Sequence, residues 1–62
     1  MYTLQVFYDG ALQHTERLVG AANVLARIPE LLREHDGCEK LVITLAGTRL
    51  FAVDCKGNRL PD

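Results

Sequence analysis

One stretch of this chain repeats at helical period, and it dictates the rest. Ala21, Val24, Leu25, Ile28, Leu31, Leu32 and His35 fall at i, i+3, i+4, i+7, i+10, i+11 and i+14, one continuous apolar stripe. Asn23, Arg27, Glu30, Arg33 and Glu34 take the outer side. A lone amphipathic helix is marginal in water, so its stripe must be buried against its flanking segments. Those segments read as strands. The expected fold is therefore α+β, in the order ββαββ. It is a four-stranded, mainly antiparallel sheet of two hairpins with one helix on one face, and residues 1–62 form a single domain.

Pro29 sits inside the stripe, where it removes a backbone donor and crowds the preceding turn. The stripe keeps its phase across Pro29, which favours one kinked helix. The alternative is a short first turn followed by a second helix with proline at its first position. Gly37 is expected just past the helix end, where a left-handed residue closes many helices.

In the first strand, residues 2–8, Tyr2, Leu4, Val6 and Tyr8 alternate with Thr3, Gln5 and Phe7. Asp9-Gly10 is a strong hairpin turn signal, because both residues tolerate positive φ. Residues 11–18 return as a second strand, with polar His14 and Glu16 between Leu12 and Leu18; such a strand suits a sheet edge. Residues 39–46 read as the third strand. Gly47-Thr48 is expected as the turn, and Arg49 to Asp54 as the fourth strand. That register sets Leu45 opposite Leu50, Ile43 opposite Ala52, Thr44 opposite Phe51 and Val42 opposite Val53. Lys56-Gly57-Asn58 reads as a further turn, and Arg59-Leu60-Pro61 as the stub of an edge strand.

This plan leaves an imbalance. One helix covers one sheet face, and a face open to water should be polar. The second hairpin is apolar on both sides. Phe7 and Leu12 are expected to pair across the first hairpin, opposite in parity to Leu4 and Val6. Phe7, Leu12, Val42, Phe51 and Val53 are therefore expected to form an apolar patch facing away from the helix, and such patches mark interfaces. A register slip of one residue in the first hairpin would exchange its faces. Small size points the same way: a chain of 62 residues leaves much of its surface exposed and has little net stability of its own. A two-fold homodimer is the commonest way to cover such a patch.

The function classes narrow by elimination. The formal net charge is −1 and the seven Lys and Arg residues are scattered, so the basic footprint of a nucleic-acid binder is missing. No apolar run approaches a membrane span, and Met1 to Gln5 carries no basic leader, so a cytoplasmic protein is expected. Cys38 and Cys55 are then reduced thiols that behave as small apolar side chains. They fall as diagonal neighbours at the open end of the second hairpin; a disulfide needs Cα atoms within about 7 Å. There is no Cys-x-x-Cys motif. His14 and His35 share no ligand spacing with the cysteines on any one element and read as structural, so no metal or cofactor is expected. The chain contains no serine, and Glu30 and Glu34 lie among arginines on the helix exterior. The glycine before the helix is alone and is not a phosphate loop. An enzyme is not expected.

The order hairpin, helix, strand, over roughly the first 46 residues, resembles the β-grasp fold of ubiquitin-like proteins. The chain ends Arg59-Leu60-Pro61-Asp62 rather than Gly-Gly, so the resemblance does not imply conjugation. The third and fourth strands are also joined more tightly than in that fold. The expectation is a small non-enzymatic protein-interaction or regulatory module, partnered by a second copy of itself or by another protein. The alternative is a nucleic-acid-associated regulator using Arg17, Arg49 and Arg59.

Overall fold

The computed structural model of the protein describes residues 1–61. Strands β1 (Tyr2–Tyr8) and β2 (Ala11–Leu18) lead into helix α1 (Ala21–Glu34), followed by β3 (Lys40–Leu45) and β4 (Thr48–Asp54). The four strands form one antiparallel sheet in the order β2-β1-β3-β4. The fold is the expected ββαββ, with the helix on one face.

The first hairpin follows its turn signal. Asp9 and Gly10 both have positive φ, at 49° and 81°, as a two-residue turn matched to strand twist requires. Phe7 pairs with Leu12, and Val6 with His14, so Gln13 is an extra residue in β2. This bulge puts Leu12 on the face away from the helix and leaves His14, Glu16 and Leu18 on the helix face.

The second hairpin departs from expectation. The turn is Ala46-Gly47, one residue earlier than Gly47-Thr48, with φ of 51° and 84°. Thr44 pairs with Arg49, Ile43 with Phe51, Val42 with Ala52 and Leu41 with Val53, leaving Leu50 as a bulge. Leu50 therefore does not face Leu45. Through most of the strand the register is one residue away from the expected one, and that exchanges its faces. Phe51 and Val53 move to the helix side, with Leu41 and Ile43. The gain is burial: Val53 is 4% exposed and Phe51 packs on the core. Fully burying a side chain such as Val contributes on the order of 2 kcal/mol. Small Ala52 takes the opposite face.

Leu4, Val6, Val24, Leu31, Cys38, Leu41, Ile43 and Val53 form the core between helix and sheet. Helix α1 runs unbroken through Pro29. It ends at the cap residue His35, whose N–H donates to the Leu31 carbonyl at 2.9 Å. Gly37 lies two residues beyond that cap, with φ 84°. The stripe is wider than the surface it meets. Val24 and Leu31 are buried, Ile28 and Leu32 half-buried, and Leu25 is 63% exposed. Arg27, expected outside, is instead half-buried against β2. After β4 the chain turns back along its edge. Asp54 N–H donates to Asn58 O at 2.9 Å, Arg59 bridges to Val53, and Leu60 N–H donates to Ala52 O at 2.9 Å.

Candidate functional site

Three features of the molecule bear on function. The first is the sheet face away from the helix. Phe7, Leu12 and Val42 lie on it, and Phe51 and Val53, expected there, do not. Val42 is buried among its neighbours, Phe7 is half-buried and Leu12 is 49% exposed. The Lys40 ammonium sits 5.3 Å from the Phe7 ring centroid. Of the residues expected on this face, Leu12 is left the most exposed, with Phe7 paired beside it at the β1–β2 end.

The edges of the sheet also differ. Along β4 the Asn58–Leu60 segment pairs with the outer backbone groups. Strand β2, at the other edge, has no neighbour beyond β1 among the described residues. It is eight residues long and contains no proline, so it presents backbone donors and acceptors to solvent.

The second feature is a charged seam that locks the helix to β2. The Arg27 guanidinium donates to Glu16 through Nε at 2.9 Å and through Nη2 at 2.6 Å. It also donates to Glu34 at 2.8 Å and Glu30 at 3.5 Å. Such forked, charge-assisted bonds are stronger and more directional than neutral ones. The hydrogen bonds from Arg27 hold the Glu16 carboxyl down at about 2 and also lower Glu34. His14 Nε2 lies 2.9 Å from Glu16 Oε1, and the His14 and His35 rings are 5.0 Å apart, with Tyr8 beyond His35 at 6.3 Å. Tyr8, Gln13 and His35 line a shallow opening here. The pairing of His14 with Val6 puts its ring on the helix face. The Gln13 bulge, which carries no sequence mark, hides this from a reading by strict alternation.

The third feature is the pair of cysteines. Both are free thiols. Cys38, in the core, immediately follows Gly37, whose N–H donates to Cys55 Sγ at 3.2 Å. Cys55 packs against the core that contains Cys38, and burial first, then the neighbouring Cys55, push the Cys38 thiol up. Cys55 opens onto a groove of about 600 Å³ with Pro29, Leu32, Arg33, Asp36 and Lys56.

Among the described residues, no group of three or more His, Cys, Asp or Glu side chains is arranged to hold a metal ion. No helix is long and apolar enough to cross a membrane. Arg17 lies on β2 while Arg49 and Arg59 lie on β4 and its flanking segment, at opposite edges of the sheet. Arg59 is stacked 4.5 Å from the Phe51 ring centroid. The three arginines form no common patch. No family model, curated protein or solved structure matches this chain, so the β-grasp likeness rests on element order alone.

Proposed function

We propose that this chain is a small non-enzymatic interaction module that works as a homodimer, joined where the bare β2 edge meets the exposed end of the open sheet face. The observation that carries this reading is the contrast between the two sheet edges. At its Ala52–Asp54 end the β4 edge is covered by the chain's own Asn58–Leu60 segment, whereas the β2 edge has no such cover among the described residues and carries the exposed Leu12 beside Phe7. An uncapped edge strand is a template for strand addition, with backbone bonds giving affinity and alternate side chains giving register. A second copy brings the same edge and the same apolar residues, as a two-fold interface requires.

Sedimentation of the purified protein at micromolar concentration tests this. Twice the chain mass is expected, falling to the chain mass in Leu12→Asp with the circular dichroism unchanged. A wild-type monomer at that concentration, or a dimer indifferent to Leu12→Asp, contradicts it.

A further inference from the structure

We propose that Cys55 is a thiol-modification site for small anionic disulfides, and that Cys38 resolves the adduct into an intramolecular Cys38–Cys55 disulfide. Four observations converge on it. Cys55 is the more exposed thiol and opens onto the groove between the end of α1 and the turn after β4. Arg33 and Lys56 border that groove against the single acid Asp36, and neither cation is in an ion pair among the described residues. The Gly37 N–H bond holds the Cys55 sulfur against the residue that precedes Cys38. Cys38, 5% exposed, lies in the core against which Cys55 packs, and that burial keeps it from a bulky reagent.

The chemistry closes without any further reactant. The Cys55 thiolate attacks one sulfur of RSSR; an S–S bond forms, the old S–S bond breaks, and RS⁻ leaves and takes up the proton Cys55 gave up. The Cys38 sulfur then attacks the Cys55 sulfur, releasing the second RSH. Two protein thiols are oxidised and one disulfide is reduced to two thiols. The order of attack follows from exposure, because a buried thiol resolves but does not initiate. The product ties the α1–β3 connection to the end of β4.

The test uses glutathione disulfide, with mass spectrometry and alkylation of remaining thiols. The wild type should lose two hydrogen atoms in mass, carry no lasting adduct, and recover both thiols on reduction. Cys38→Ser should retain one glutathione on Cys55. In Cys55→Ser, Cys38 should stay unmodified until the protein is unfolded in urea. Lys56→Gln should slow the reaction with glutathione disulfide several-fold while leaving the neutral hydroxyethyl disulfide unaffected. Two free thiols after treatment, a lasting wild-type adduct, a covalent dimer or first reaction at Cys38 would each overturn the resolving pair. Equal slowing by Lys56→Gln with both reagents overturns the preference for anions. If Cys38→Ser does not fold, the wild-type mass and alkylation pattern still decide.

Discussion

Arg27 sets how the helix is seated. Its guanidinium bridges β2 and the last turn of α1. Leu25 shares the apolar stripe yet stays in water. Removing one partner of a half-buried pair strands the other. Arg27→Gln should destabilise the fold by about 2 kcal/mol in urea unfolding, within the range between exposed and buried pairs. Glu16 adds a pH dependence of known sign. Its folded value of about 2 lies below the ordinary 4.5, so its contribution is complete above 4.5 and is lost as the pH falls toward 2. Thermal midpoints measured against pH should fall over that window, and Glu16→Gln should be less stable at neutral pH and flatter through it. The pairing of these two residues is not legible in sequence. Arg27 falls on the polar side of the helical wheel, and Glu16 lies in a strand whose alternation the Gln13 bulge interrupts.

At the scale of elements, the helix and first hairpin were legible because each carries its own local signal: a stripe in phase over four turns, and Asp9-Gly10 between alternating strands. The second hairpin was not. Its glycine is unmistakable, but which of its neighbours shares the turn depends on Ala46 adopting φ 51°, and alanine gives no hint of that. The Leu50 bulge is equally silent. Two of the five residues expected on the open face, Phe51 and Val53, accordingly belong under the helix. The turn predicts its own improvement. A left-handed alanine costs on the order of 1 kcal/mol, and asparagine tolerates that conformation better. Ala46→Asn should therefore raise the unfolding midpoint, whereas Gly47→Ala, at φ 84°, should lower it. The register has its own check: Val53→Ala should cost roughly 2 kcal/mol as a core truncation, far more than Leu12→Ala in the monomer. If the cysteines are joined, closing the loop between residues 38 and 55 should add about 3 kcal/mol on the chain-entropy model.

The described residues form an antiparallel sheet with one face under a helix, one edge covered at its Ala52–Asp54 end by the chain itself and the β2 edge without such cover. The imbalance legible in sequence survives in smaller form. The open face is less apolar than strict alternation implied, because the slip in the second hairpin moves Phe51 and Val53 to the core. Of the three expected residues that stay on that face, Leu12 is the most exposed, and it lies on β2 beside Phe7. The proposed homodimer would therefore join at the β2 edge rather than across the middle of the sheet. The most direct measurement is amide hydrogen exchange along β2 as a function of protein concentration. The homodimer predicts that its outward amides become protected as concentration rises through the association range, while β1 and β3 amides stay protected throughout. Outward β2 amides that exchange fast at every concentration would contradict it.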